Sequence, residues 1–169
     1  MFVLGIDPGL TRCGYGLVEG QLHGGEMFRA VEAGVLETPK EVAVEQRLAV
    51  IMKDLRELIE EYQPHVVVVE KVFFQKNALT AISVAQASGI AIGLAGERGI
   101  TVRQFTSQEV KLAVTGYGAA DKKQVQQMVA SLCGLREIPQ PPDAADALGL
   151  AITFLMTART EQRTLGVAR

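Results

Sequence analysis

Residues 66–70 read VVVVE, four β-branched apolar residues in a row ended by an acid. An unbroken apolar run of this length suits a strand covered on both faces, as in a parallel sheet, rather than one that alternates between core and water. Just upstream, Pro64 ends a helical stretch over 41–62, in which Val44, Leu48, Ile51, Leu55, Leu58 and Ile59 recur at three- and four-residue steps between charged residues. A helix feeding a buried parallel strand belongs to an α/β fold, and the tetravaline strand is expected at the centre of its sheet.

Working outward, FVLGID over 2–7 is a short apolar run halted by Pro8-Gly9, GYGLVE over 14–19 alternates in the manner of a strand, and a third strand is expected near 29–37. Downstream, a small-residue helical stretch over 78–97 precedes ITVRQF at 100–105, expected as another buried strand. Helical patterns follow at about 107–114, 121–133 and 143–160, with Gly116, Gly118 and Gly134 as breakers. This order predicts a mixed five-stranded sheet flanked by helices, antiparallel at first and then joined by parallel crossovers.

A chain of 169 residues without a Ser-rich or charge-block linker predicts one domain, placed over 1–157, followed by a C-terminal tail over 158–169. The opening MFVLGID has no basic start or cleavage site of a secretory signal, and the apolar stretch around 78–96 is interrupted by polar residues, so a cytoplasmic protein with no membrane span is expected. Cys13 and Cys133 have no paired spacing and lie far in sequence from His23 and His65, which argues against zinc and for two reduced, buried thiols. Net charge is −2, but residues 1–62 hold 6 Lys and Arg against 11 Asp and Glu, whereas residues 63–169 hold 11 against 8. A nucleic-acid face is therefore expected mainly after residue 63, where cations can meet phosphate.

In parallel sheets chemistry gathers at the carboxyl ends of the strands, and both Asp7 and Glu70 occupy such an end. Asp143 and Asp146 open the last helical stretch at i,i+3 spacing, which puts both carboxylates on one face. Each has a plainer role too: Asp7 can start a turn before Pro8-Gly9, and Asp143 and Asp146 can complement a helix dipole after Pro141-Pro142. Together, four converging carboxylates would repel one another unless a hard divalent cation such as magnesium or manganese sat between them.

GIDPG with Asp7, VVVEKVFFQKNA with Glu70 and PPDAADALGLAIT with Asp143 and Asp146 closely resemble the three acidic motifs of RuvC-type Holliday-junction resolvases. The likeness runs from residue 2 to about 156 and takes in VKLAVTGYGAADKKQVQQMV at 110–129, similar to the family's basic DNA-contacting segment. The resemblance implies a ribonuclease-H-like fold, a homodimer, and a site in which Asp7, Glu70, Asp143 and Asp146 bind two magnesium ions, with manganese as the alternative. It further implies paired nicks in strands of like polarity on four-way DNA, and a partnership with a RuvA–RuvB branch-migration complex.

For DNA contact, the Phe73-Phe74 pair can stack on unpaired bases or serve more plainly in core or interface; the resemblance implies Phe73 as the base-stacking wedge and Phe74 as packing. Lys76, Lys111, Lys122, Lys123 and, in the turn after Asp7, Arg12 are the candidate phosphate contacts; the plainer role of each is a solvated surface cation. The smooth 78–97 helix suits either a dimer interface or burial against the sheet. Three rivals are weighed. A sugar-kinase or chaperone ATPase relative would share the GIDPG-to-Thr11 hairpin but needs a duplicated fold. A YqgF-like RNA nuclease should lack VFFQKN and DKKQVQQMV, and a non-catalytic junction binder would not keep all four acids.

Overall fold

The computed structural model describes residues 1–23, 28–71 and 78–167. Among these residues the chain runs through β1 (Phe2–Asp7), β2 (Arg12–Glu19), β3 (Arg29–Glu37), α1 (Val44–Tyr62), β4 (Val66–Glu70), α2 (Ala78–Glu97), β5 (Thr101–Phe105), α3 (Ser107–Thr115), α4 (Lys122–Leu132) and α5 (Pro142–Val167). The strands form one sheet in the order β3-β2-β1-β4-β5. β1 is antiparallel to β2 and β2 to β3, while β1 with β4 and β4 with β5 are parallel, as the element order predicts.

Three expectations change. The tetravaline strand β4 is buried along all four valines but lies one place off centre, and β1 is the middle strand. β5 is not a buried strand: it forms the sheet edge, and Thr101, Arg103 and Gln104 are exposed, as charged and amide side chains at an edge should be. The last helix, expected to end near 160 with a tail from 158, continues to Val167. No proline interrupts residues 158–167, and Arg159 ties the extension to the body of the protein. Its Nε donates to the Gln21 carbonyl at 2.7 Å, and its guanidinium lies 4.5 Å from the centroid of the Phe28 ring.

Strand alternation sorts the core into two layers. Leu4 and Ile6 of β1 and Val67 and Val69 of β4 pack with α1 and α2, whereas Val3, Val66 and Val68 pack with α3, α4 and α5. The same period of two puts Asp7 with Val3, and Glu70 with Val66 and Val68, on the face that carries α5. The parallel register pairs Ile6 with Val69, so Asp7 and Glu70 follow one step beyond it, side by side.

On that face α5 lies almost against the sheet backbone. A Cβ added at Gly5 would stand 2.0 Å from the Ala147 carbonyl oxygen, and one at Gly14 would stand 2.3 Å from that of Asp143. Only a residue without a side chain permits such an approach, and it is this approach that brings the first turn of α5 over Asp7. Because both sides of the clash at Gly5 are backbone, Gly5→Ala is expected to act as severe overpacking, about 3 kcal/mol. In a melt of the metal-free protein that is a fall of roughly 10 °C. An unchanged melting temperature would contradict the close contact.

Candidate active site

Asp7, Glu70 and Asp146 line one cavity of about 370 Å³, together with Ser107, Val110, Lys111, Lys122, Val125 and Leu150. One carboxylate oxygen each from Asp7, Asp143 and Asp146 lies within 4.8 Å of the others. Glu70 joins them through a side-chain hydrogen bond with Asp7. Four acids drawn from β1, β4 and the start of α5 thus meet at the carboxyl end of the two central parallel strands, where the alternation of the sheet and the glycine contacts place them.

The electrostatics are those of acids crowded into a half-dry space. Burial, followed by the charges of Glu70 and Asp146, pushes the Asp7 carboxyl up to about 8 from its ordinary 3.8. Burial raises Glu70 as well, while its hydrogen bond with Asp7 opposes that rise. Without a cation, burial and the neighbouring acids therefore favour the protonated form of Asp7, hydrogen-bonded to Glu70. A set of oxygen donors only, with one member pushed far out of the carboxylate range by the others, fits a hard divalent cation, and these acids could hold one.

Cations flank the acids. Lys122 Nζ lies 2.7 Å from Asp146 Oδ2, a bond that raises the lysine's pKa and keeps it charged. Its position follows from local sequence: Asp121 caps α4 through a reciprocal capping box with Gln124, which sets Lys122 as the first helical residue. A second capping box, Thr106 with Glu109, starts α3 and brings Ser107 and Lys111 to the cavity. Ser107 was not singled out in the sequence; the Thr106-to-Glu109 spacing marks a helix start, but not that this start faces the acids.

The other candidates divide. Lys123 is exposed and stands outside the cavity lining. Arg12, expected at phosphate, is engaged by two carboxylates, Asp143 at 2.9 Å and Glu37 at 2.6 Å. Phe73, Phe74 and Lys76 lie outside the described residues. Cys13 and Cys133 are free and buried in opposite core layers, as expected of structural thiols. Among the described residues no helix is long and apolar enough to cross a membrane.

The profile of the family described as Crossover junction endodeoxyribonuclease RuvC matches residues 3–154, which contain all four acids. The chain belongs to the RuvC family. A RuvC of Thermomicrobium roseum is 48% identical over 162 residues, spanning 96% of this chain and 97% of the relative. The RuvC structure of Thermus thermophilus superposes with a TM-score of 0.88 at 34% identity, over 95% of this chain and 97% of that one. The same Thermus protein in complex with a Holliday junction substrate gives a TM-score of 0.89 at 34% identity, over 95% and 96%. The fold is the ribonuclease-H-like α/β fold of RuvC nucleases, and the kinase and RNA-nuclease readings give way to the resolvase reading.

Proposed function

We propose that this RuvC-family chain is a metal-dependent endonuclease that resolves Holliday junctions in the cytoplasm, by symmetric nicks in strands of like polarity, during DNA recombination and repair. The observation that carries the reading is the meeting of Asp7, Glu70 and Asp146 at one cavity that also presents Lys111 and Lys122, with Asp143 clustered beside Asp7 and Asp146. The four acids would hold two magnesium ions, or manganese. When bound, such ions supply a polarised water for in-line attack on phosphorus and charge to stabilise the departing sugar oxygen.

The chain's own groups supply the rest. Asp7 and Glu70, hydrogen-bonded to each other on neighbouring strands, fix the floor of the site, and Asp143 and Asp146 close it from α5. Lys122 stays charged beside Asp146 and, with Lys111, faces the space a scissile phosphate would enter, where two cations offset its charge. Lys123 is assigned to a neighbouring phosphate, Phe73 keeps the base-stacking role that the family resemblance gives it, and Lys76, a cation beside the Phe pair in sequence, stays a candidate phosphate contact.

A homodimer would place two such sites on a junction that has approximate two-fold symmetry. The α2 helix supports this. One face is buried through Ala87, Ala91, Leu94 and Ala95, while Ile82 is 54% exposed on the other. Gly89, Gly93 and Gly96 have open space where a Cβ would stand, so this outer face is smooth enough for a second copy. Both uses expected of the small-residue helix, packing on the sheet and packing on a partner, can thus coexist. A partnership with a RuvA–RuvB complex is retained on family membership alone.

The deciding experiment incubates the purified protein with a synthetic four-way junction, a linear duplex and an RNA hairpin, with magnesium and with chelator. Symmetric nicks on the junction alone, leaving 5′-phosphate and 3′-hydroxyl ends and disappearing with chelator, are expected from a species that sediments at twice the chain mass. Cleavage of the RNA hairpin, or ATP hydrolysis without nicking, would reverse the assignment. A monomer that still nicks would remove the two-fold part of it.

A further inference from the structure

Arg12 occupies the first position of β2, across the β1–β2 turn from Asp7. Its Nε donates to Asp143 Oδ2 at 2.9 Å and its Nη1 to Glu37 Oε1 at 2.6 Å, so the guanidinium bridges an acid of the site to one outside it. The turn that carries it is braced from beneath. Buried Arg47 of α1 donates Nε to Thr38 Oγ1 at 2.9 Å and Nη2 to Thr11 Oγ1 at 2.7 Å, and the Thr38 hydroxyl in turn donates to the Leu10 carbonyl. The Thr38 amide donates to the Thr11 carbonyl at 3.1 Å. A planar fork on a braced turn holds its partner in one orientation, which a flexible lysine would not.

We propose that Arg12 is a positioning residue for the cation site: it engages Oδ2 of Asp143 so that this acid offers a single oxygen to the metal, and Glu37 cancels the charge that Arg12 would otherwise set beside a divalent ion. The proposal rests on the reading that the four acids hold such an ion. Its physical content lies in the pairing of orientation with neutrality. A lone guanidinium next to the site would fix Asp143 but repel the cation; bonded to Glu37 it keeps the directional hydrogen bond while its net field is small. Arg12 thereby acts through Asp143 and needs no contact with DNA.

Restricting Asp143 to one oxygen has a consequence for ion choice. Magnesium demands a small, near-ideal octahedral shell, whereas calcium accepts more oxygens and often takes both from one carboxylate. With Arg12 in place the site suits the smaller ion. Without it Asp143 can turn and give two oxygens, which suits the larger one.

The test is titration of magnesium and of calcium into the metal-free full-length protein, followed by calorimetry, for the parent and for Arg12→Ala, Arg12→Lys and Glu37→Gln. Arg12→Ala is expected to weaken magnesium binding by about tenfold, the usual effect of losing a residue that orients a metal ligand. Calcium binding should change less, so the preference for magnesium narrows. Arg12→Lys should recover part of the magnesium affinity, since one ammonium can still reach Oδ2. Glu37→Gln keeps the Arg12–Asp143 bond and uncovers the charge, so it should weaken both ions alike and preserve their ratio. Junction binding in chelator, measured in parallel, should be unchanged in all three. Equal losses for both ions in Arg12→Ala, or unchanged magnesium affinity with weakened junction binding, would overturn the proposal, the latter by making Arg12 a phosphate contact. No magnesium binding by the parent would instead sink the cation site itself, and this role of Arg12 with it.

Discussion

Asp146→Asn is expected to lower junction cleavage by about a thousandfold while the protein still folds and still binds the junction. Asp146 faces the cavity from near the start of α5, one turn on from Asp143 and beside Asp7, with Lys122 bonded to its Oδ2. Asparagine keeps the shape and removes the charge, so the change falls on cation binding and transition-state charge rather than on packing. Charge stabilisation of this kind amounts to several kcal/mol, and each 1.36 kcal/mol is a factor of ten in rate, so a loss on the order of 10³ follows. The measure is single-turnover cleavage of a synthetic junction with protein in excess, beside a binding titration in chelator. Because Lys122 is released from its ion pair, binding should hold or tighten slightly. Undiminished cutting would remove Asp146 from the catalytic set.

Much of this site could be read before any coordinates, for a reason that lies in strand geometry. A strand's end is visible in sequence when an apolar run stops at a charge, as at Ile6-Asp7 and Val69-Glu70, and helical spacing alone puts Asp143 and Asp146 on one face. Four facts could not be read that way. Strand order depends on which edges pair, so an all-valine strand and a strand carrying Gly5 and Asp7 both pass as central, and the structure puts the latter in the middle. Whether a strand is an edge is likewise a tertiary fact, which is why Thr101–Phe105 looked buried. The partners of Arg12 lie 25 and 131 residues away, and no local pattern announces a contact over such separations. Gly5 belongs to the GIDPG motif and Gly14 opens the GYGLVE strand, yet their purpose, letting α5 settle onto the sheet, emerges only from the 2.0 and 2.3 Å that a methyl group would meet there.

Asp7→Asn should abolish cleavage and yet raise the melting temperature of the metal-free protein. In the folded chain the Asp7 carboxyl is pushed up to about 8, first by burial and then by Glu70 and Asp146, against an ordinary value of 3.8. Below 3.8 the group is protonated folded or unfolded and makes no difference to stability. Between 3.8 and about 8 only the unfolded chain releases the proton, so stability falls steadily as pH rises, and above about 8 the loss is complete. Each pH unit of that window corresponds to about 1.4 kcal/mol, which puts the cost of Asp7 on the order of a few kcal/mol at pH 7. Asparagine cannot ionise and its amide can still donate to Glu70, so the variant escapes this cost. The expected gain in chelator is roughly 10–20 °C near pH 8 for a chain of this size and close to nothing at pH 4. Saturating magnesium should reverse the order: a cation that takes the place of the Asp7 proton stabilises the parent more strongly as pH approaches 8, and the variant much less. Melting curves at a series of pH values, with and without magnesium, separate these cases. If Asp7→Asn melted lower than the parent in chelator at pH 8, the crowding of acids would not be the strain that a cation relieves.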